Sequence, residues 1–330
     1  MLDVIDIYNY CLRHNSDTKT VLDMLDELCH DKITVSDNSV GSSMMDLGLV
    51  NETDKICKKM CDDCFLIQVK SEIFVGNNRY IGIEARGGKS KEALANHTYD
   101  CKYLGFPYTR QLYLSSVRPI AGINKKDKPD IGTVFKVASN VYATARHCVI
   151  DMKQFNVYDE NNNPIHIKEI IVSNNGNIDI ALLVTEVPVD GNVFQLDEPH
   201  VLEDILVMGY PPISGMLPFL VCEKGQMSAT MKSTIGANVG ETKDYLRGLE
   251  CFLISARVKG GSSGSPVVNE YGNACGIVVS LPSDTDYPER IDLMGYGACL
   301  PSNYIEAMLK GEDVKRLTLN CNTDGYYVSN

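Results

Sequence analysis

Short β-type runs separated by turn residues fill the chain from residue 112 to about 300, and they limit the fold more than any other feature. GTVFKVAS, IDIALLVTE and ECFLISARV are examples, with Gly, Asn, Pro or Asp between such runs. A parallel α/β fold would need helices between successive strands, and none is visible here. Residues 112–310 are therefore predicted to form an all-β domain that ends in a helix at SNYIEAMLK, with 311–330 as a tail.

The first 111 residues have a different texture. Helical patterns cover about 2–14, 17–29 and 53–64, and an apparent hairpin follows in FLIQVKSEIFV and RYIGIEA. This predicts a smaller α+β N-terminal domain at 1–111. A chain of 330 residues is long enough for two domains that each bury a core.

Charge and apolar patterning exclude some partners. The chain carries 31 Lys and Arg against 43 Asp and Glu, a net charge of −12, and no basic stripe, so nucleic acid is not an expected ligand. Asp3 and Asp6 stand where a signal peptide needs positive charge, and no apolar run reaches the roughly 18 residues of a membrane-spanning helix. We expect a cytoplasmic protein without a membrane partner, whose 12 cysteines are mostly reduced.

Three residues have the chemistry of a hydrolase, although each alone has an ordinary alternative. His147 ends the β run in YATARHCV, where a histidine considered alone is more often a core or surface residue. Asp179 begins the buried run in NIDIALLV and needs a partner such as an imidazole, or else caps the preceding turn. Ser263 is central in GSSGSP, where glycines allow a sharp turn in which the N–H groups of Gly261 and Ser263 converge, but such turns also serve purely conformational ends.

Taken together and in this order, the motifs resemble those of trypsin-like serine proteases. TARHCV, NIDIALLV and GSSGSP resemble the His, Asp and nucleophile motifs, and VMGYPP and GACLPSNYIEAML resemble the bacterial HtrA-like branch. The resemblance covers residues 112–310 and leaves too little chain after 310 for a PDZ domain. It implies two β-barrels and a serine endopeptidase that acts on proteins or peptides without a cofactor.

The resemblance also implies a role for each residue. Ser263 would attack the peptide carbonyl while His147 acts as base and then as acid. Asp179 would orient the imidazole, and the N–H groups of Gly261 and Ser263 would bind the oxyanion.

Substrate contacts are implied at two further places. The strand at 276–281, with Val279 and Ser280, would pair with an extended substrate by main-chain hydrogen bonds. Arg257 would form the floor of the primary specificity pocket and favour acidic residues. Its alternative is an ion pair with a local carboxylate, or exposure to solvent.

Two departures from the family pattern stand out. Secreted relatives often bridge the cysteine after the catalytic histidine to a cysteine one strand earlier, but GTVFKVASN offers Cys148 no such partner. Ser262 takes the place of the Asp that captures a new N-terminus during activation of digestive relatives. Some other contact must therefore set the nucleophile loop.

Three cysteines, Cys57, Cys61 and Cys64, have helical spacing in the N-terminal domain. This spacing suits a buried apolar stripe, a redox role, or a zinc site with a fourth ligand. The candidates for that fourth ligand are Cys29, His30, His97 and Cys101.

Two readings compete with a plain protease. One is a catalytically silent scaffold or binding protein with a protease fold. The other is a regulated effector protease, for example in bacterial defence, whose N-terminal domain binds a regulatory protein.

Overall fold

A computed structural model describes residues 7, 10, 19–20, 47–62, 66–70, 78–82, 97–232, 249–280, 295–322 and 325–328. The chain divides into two compact units, Met1–Tyr103 and Leu104–Asn330. The predicted domain boundary at residue 111 falls within a helix of the second unit. No described helix is long and apolar enough to cross a membrane.

The first unit combines a helix with a three-stranded antiparallel sheet of order β1-β3-β2. Its elements are β1 (Lys19–Thr20), α1 (Leu47–Asp62), β2 (Leu66–Lys70), β3 (Arg79–Gly82) and α2 (Thr98–Leu104). Here the sequence prediction and the structure differ at Lys19 and Thr20, which pair with β3. The rest of the helix predicted over 17–29 lies outside the described residues. The helix predicted at 53–64 begins earlier, at Leu47.

A buried carboxylate ties the helix of this unit to its sheet. Asp54 on α1 accepts hydrogen bonds from Asn78 Nδ2 at 2.7 Å and from the Tyr80 hydroxyl at 2.8 Å. Lys58, one turn along α1, lies 2.8 Å from the other carboxylate oxygen. Although burial opposes ionisation, these partners hold the pKa of Asp54 below its usual value.

The second unit opens with α3 (Phe106–Leu112) and continues with two antiparallel β-sheets. The first sheet is built mainly from β4 (Val117–Asn124), β5 (Pro129–Ala138), β6 (Val141–Ala145), β7 (Met152–Val157), β8 (Ile167–Ser173) and β9 (Ile180–Thr185), with α4 (His147–Ile150) after β6. The second is β10 (Asp204–Gly209), β11 (Val221–Lys232), β12 (Glu250–Ile254), β13 (Pro266–Asn269), β14 (Ala274–Ser280) and β15 (Gly297–Pro301).

These sheets confirm the predicted pair of β-barrels. The second sheet closes on itself in the order β10-β11-β12-β15-β14-β13. Each barrel has its own apolar interior, and a third cluster joins them, with Phe135 and Leu182 from the first and Met208 and Ile277 from the second. Burial of such side chains, at about 1.5–3 kcal/mol each, fixes one barrel against the other.

The C-terminal helix predicted at 302–310 is present as α5 (Ser302–Leu309). It begins directly after Pro301, whose fixed φ suits the start of a helix. Ile305 and Met308, three residues apart on one face, are buried in the cluster that joins the barrels. The helix therefore covers the junction of the two barrels.

The described residues of 311–330, predicted as a tail, instead extend the first sheet at both of its edges. They form β16 (Val314–Leu317), β17 (Leu319–Asn322) and β18 (Gly325–Val328). β16 pairs with β8 and β18 pairs with β7, which gives a nine-stranded sheet of order β16-β8-β9-β6-β5-β4-β7-β18-β17. Tyr326 is buried beside Phe155, and its hydroxyl accepts the backbone N–H of Ile167.

Candidate active site

The candidate base and its carboxylate partner lie at the ends of two paired strands. His147 follows β6 and starts α4, and Asp179 immediately precedes β9. Because Ala145 and Ile180 are opposite each other in the register, the two side chains meet. Asp179 Oδ2 lies 2.6 Å from His147 Nδ1, and Asp179 Oδ1 accepts the His147 backbone N–H at 2.9 Å. One carboxylate thus holds both the ring and the main chain of the histidine.

The same carboxylate controls the protonation of the ring. The Asp179 side chain is fully buried, whereas that of His147 is 25% exposed. A carboxylate only accepts hydrogen bonds, so Nδ1 carries the proton and Nε2 is left to act as a base. Burial opposes protonation of the ring, but the adjacent Cys148 and the hydrogen-bonded Asp179 outweigh it, and the pKa of His147 lies well above its usual value.

The nucleophile loop, residues 259–265, passes close to this histidine. The Ser263 carbonyl accepts the Thr133 backbone N–H at 2.9 Å, and Cys148 Sγ lies 3.8 Å from the same oxygen. Since Cys148 follows His147 in α4, the main chain of Ser263 is placed beside the helix that carries the candidate base. The structure therefore brings the neighbourhoods of all three predicted catalytic residues together.

Backbone amides of the nucleophile loop fall into two groups. The Ser262 N–H donates to the Lys259 carbonyl at 3.0 Å, and the Gly264 N–H donates to a β14 carbonyl at 2.8 Å. The N–H groups of Gly261 and Ser263 form no hydrogen bond to any acceptor in the described part of the chain. The two amides predicted to bind an oxyanion thus have free donors within the described part of the chain, as does the N–H of Gly260.

Glycine is required at two positions of this loop. Gly261 has φ +84° and Gly264 has φ +85°, a region that L side chains rarely adopt. A Cβ on Gly261 would also lie 2.6 Å from Pro212 Cδ, and one on Gly264 would clash with the Thr133 carbonyl oxygen. Close approach by β5 and by the segment after β10 accounts for both glycines.

Thr133 on β5 is a functional candidate that the sequence prediction missed. It is fully buried, and its Oγ1 donates to the Gly261 carbonyl at 3.0 Å while accepting the Tyr210 backbone N–H at 3.0 Å. Its own carbonyl accepts the Thr144 hydroxyl at 2.7 Å. With its N–H bound to Ser263, Thr133 holds the nucleophile loop at two carbonyls. A threonine inside a β run gives no signal of this in the sequence.

Ser262 has the sequence position of the Asp that resembling digestive proteases use for activation, and its side chain forms a hydrogen bond within its own turn. Its side chain is buried, and its Oγ accepts the Lys259 backbone N–H at 3.3 Å. Together with the bond from its N–H to the Lys259 carbonyl, this closes the turn from both sides. The nucleophile loop is therefore held by neutral hydrogen bonds from Thr133 and Ser262.

The place of the family's disulfide is occupied by a glycine. A Cβ on Gly132 would lie 3.3 Å from Cys148 Cβ and 2.6 Å from its Sγ. Gly132 thus stands where a cysteine partner for Cys148 would be. The nine described cysteines are all free thiols.

Arg257 lines a cavity of about 150 Å³ beneath the nucleophile loop. The other lining residues come from β10, β11, the segment between them and the loop itself: Val207, Gly209, Pro211, Pro212, Ile213, Val221, Glu223, Lys259 and Ser262. None of the predicted catalytic residues and no residue of β14 lines it. Arg257 thus lines this cavity without Val279 and Ser280, the two predicted substrate contacts of β14.

The other two predicted substrate contacts lie on β14. Val279 is buried in the cluster between the barrels, so its side chain is not available to a substrate. β14 pairs with β15 as far as Ser280 but with β13 only as far as Ile277. On that side Val278 is hydrogen-bonded to the nucleophile loop, where its carbonyl accepts the Gly264 N–H and its N–H donates to the Ser265 carbonyl. Beyond Val278 no described strand pairs with β14 there, and this is the edge that a substrate strand would need.

Two of the three cysteines of the N-terminal stripe, Cys57 and Cys61, lie among the described residues. Cys57 is fully buried on α1, Cys61 is partly buried, and burial raises the pKa of the Cys61 thiol. Cys64 lies outside the described residues, as do Cys29 and His30. Among the residues that the structure covers, no three His, Cys, Asp or Glu side chains are grouped to hold a metal ion.

Comparison with known proteins supports the assignment of the fold. Residues 132–277 match the family model of the trypsin-like peptidase domain. No curated protein is recognisably similar to the chain in sequence.

Solved structures with similar folds are serine proteases of low identity. The Rv3671c protease from M. tuberculosis in its active form is 19% identical, covers 80% of this chain and 99% of its own, and has a TM-score of 0.47. The HtrA-type protease AlgW with a tripeptide is 16% identical, covers 65% of this chain and 68% of its own, and has a TM-score of 0.49. A serine endoprotease from Yersinia pestis is 18% identical, covers 62% of this chain and 65% of its own, and has a TM-score of 0.45.

Proposed function

Because residues 132–277 match the trypsin-like peptidase domain, we propose that the protein is a serine endopeptidase that cleaves protein substrates through an acyl-enzyme. The observation that carries the proposal is the His147–Asp179 pair, in which one buried carboxylate binds both the ring and the backbone N–H of the histidine. A histidine in a purely structural role would not need this double attachment.

The chemical steps follow from these positions. His147 Nε2 takes the proton from Ser263 Oγ as the oxygen attacks the substrate carbonyl. The oxyanion forms opposite the free N–H groups of Gly261 and Ser263, and collapse of the intermediate breaks the C–N bond as His147 protonates the leaving amine. Water then attacks the acyl-serine with His147 again as base, which releases the acid and restores the hydroxyl.

Substrate binding is proposed at the edge of β14. An extended peptide can add a strand there by main-chain hydrogen bonds, with little need for particular side chains. This mode suits an HtrA-type protease domain that acts on proteins. The N-terminal unit is proposed to bind a regulatory protein, as expected of an effector protease, and a cytoplasmic location stays a prediction to be checked by cell fractionation.

Labelling with a fluorophosphonate probe tests the proposal. We expect the full-length protein to be labelled and the Ser263→Ala variant to show no labelling. Ser265→Ala is the matched control, because the Ser265 hydroxyl is buried two residues away in the same loop and has no hydrogen-bond partner among the described residues. Proteome-wide identification of new N-termini in cells that express wild type or Ser263→Ala would then identify the substrates.

Two outcomes would contradict the proposal. Labelling that survives in Ser263→Ala would place the nucleophile elsewhere. No labelling of the wild type, alone or with candidate activators, would favour the scaffold reading.

A further inference from the structure

The cavity beneath the nucleophile loop is lined by two cationic side chains. Arg257 and Lys259 both line it, and neither forms an ion pair with a described carboxylate. Glu223 lies in the same wall but is not within ion-pair distance of either cation. The chain carries a net charge of −12, whereas the described lining of this cavity has two cations and one carboxylate.

An exposed apolar segment borders the same cavity. Pro211, Pro212 and Ile213 form one wall, and the chain continues from them into the segment 214–220 before β11. The large exposed side chains of this border are Ile213, Met216, Leu217 and Phe219, of which Leu217 is 83% exposed. A contiguous apolar border of this kind is typical of a surface that binds another protein.

Both walls of the cavity end at the candidate oxyanion site. On one side, Ser262 and Lys259 line the cavity and form the turn that precedes Ser263. On the other side, Pro212 packs so closely on Gly261 that a side chain there would not fit. A ligand in the cavity therefore contacts the two segments that set the position of the Gly261 and Ser263 amides.

We propose that this cavity is a regulatory site that binds a carboxylate from an acidic, apolar segment of a partner protein. The guanidinium of Arg257 suits a carboxylate, and the Lys259 ammonium adds a second positive charge. Glu223 lowers the net charge of the cavity to about +1, which favours a monoanion over a phosphate dianion. The apolar border accommodates the flanking side chains of the partner segment.

Occupancy of the site acts on the nucleophile loop. A carboxylate bound to Lys259 restrains the turn closed by Ser262, and apolar side chains on the border restrain Pro212 against Gly261. The consequence for catalysis rests on the proposed function, because only a protease uses the Gly261 and Ser263 amides as oxyanion donors. The binding itself does not depend on turnover.

Calorimetric titration of the full-length Ser263→Ala protein with a matched pair of peptides tests the binding. The probe is acetylated, amidated Ser-Leu-Glu-Leu-Ser-Ser, and its control carries Gln in place of Glu. Each exposed charge pair contributes little binding free energy, but the Glu carboxylate can interact with both Arg257 and Lys259. We therefore expect the Glu peptide to bind roughly tenfold tighter than the Gln peptide. Inorganic phosphate, added as a competitor, should displace the Glu peptide no better than acetate does.

Variants assign the binding to the cavity. Arg257→Ala with Lys259→Ala should abolish the difference between the peptides, and since both side chains are exposed, the protein should still fold. Glu223→Gln should tighten the Glu peptide roughly threefold. Lys310→Ala, which removes an exposed cation that does not line the cavity, should change nothing.

Hydrogen exchange tests the coupling without requiring activity. The Glu peptide should slow exchange in the fragment that contains residues 259–264 and leave the Lys310 region unchanged. The proposal is overturned if the two peptides bind alike, if the double variant keeps the difference, if phosphate competes better than acetate, or if exchange in the loop does not change. If the protein binds the Glu peptide but is not labelled by the fluorophosphonate probe, the regulatory site is supported and the proposed protease function is contradicted.

Discussion

Replacement of Thr133 by valine should disable the nucleophile loop while leaving its packing intact. Valine keeps the shape of threonine but removes the Oγ1 that serves the Gly261 carbonyl and the Tyr210 N–H, both at 3.0 Å. A buried polar group left unpaired costs about 1–3 kcal/mol, so two of them amount to about 2–6 kcal/mol. Loss of one oxyanion donor lowers kcat by about 10²–10³-fold, and we expect Thr133→Val to fall in this range with little change in KM.

Denaturant unfolding and the rate of fluorophosphonate labelling measure the two effects separately. Thr133→Ser is the matched control, because it keeps the hydroxyl and loses only a methyl group, and it should label at close to the wild-type rate. The reasoning would be refuted if Thr133→Val were as stable and as rapidly labelled as wild type. It would also fail if Ser and Val at this position were equally damaging, since the hydroxyl would then not be the relevant group.

Two other predictions concern the surroundings of His147. The base must be neutral, and Cys148 and Asp179 together outweigh burial and hold the pKa of His147 well above its usual value. The labelling rate should therefore fall with decreasing pH from a higher pH than an unperturbed histidine would give. A midpoint at or below the ordinary histidine value in a pH series contradicts this. Gly132→Cys should form a disulfide with Cys148 under oxidising conditions and raise the free energy of unfolding by about 2–4 kcal/mol, seen by thiol counting and by denaturation with and without reductant. If the introduced cysteine and Cys148 both stay reduced, the close approach of Gly132 to Cys148 is contradicted.

The parts of the site that could be predicted depend on local signals. His147 ends one apolar run and Asp179 begins another, so antiparallel pairing of those two runs is enough to bring them together. The nucleophile loop is marked by its glycines, whose positive φ and close contacts the structure shows. Each of these features is written in a stretch of fewer than about ten residues, which is the length over which turn and strand signals act.

The parts that could not be predicted depend on contacts between distant segments. Thr133 and Gly261 are 128 residues apart, and nothing near either residue indicates the hydrogen bond between them. Arg257 lines a cavity together with residues of β10 and β11, and its spacing from Ser263 along the chain gave no indication of this. The strands after residue 311 are short and half exposed, as in VKRL, so they lack the alternation that identifies a strand.

The return of β16 and β18 to the first barrel affects the timing of its assembly during synthesis. When Thr185 leaves the ribosome, the edges at β7 and β8 have no partner, and about 140 residues must still be made before Val328 follows. At about 5–20 residues per second, this interval lasts roughly 7–30 s, during which open strand edges are exposed to other nascent chains. The first sheet therefore gains its outer strands only after the segment from Val314 to Val328 has been synthesised, and this segment determines when both of its edges become paired.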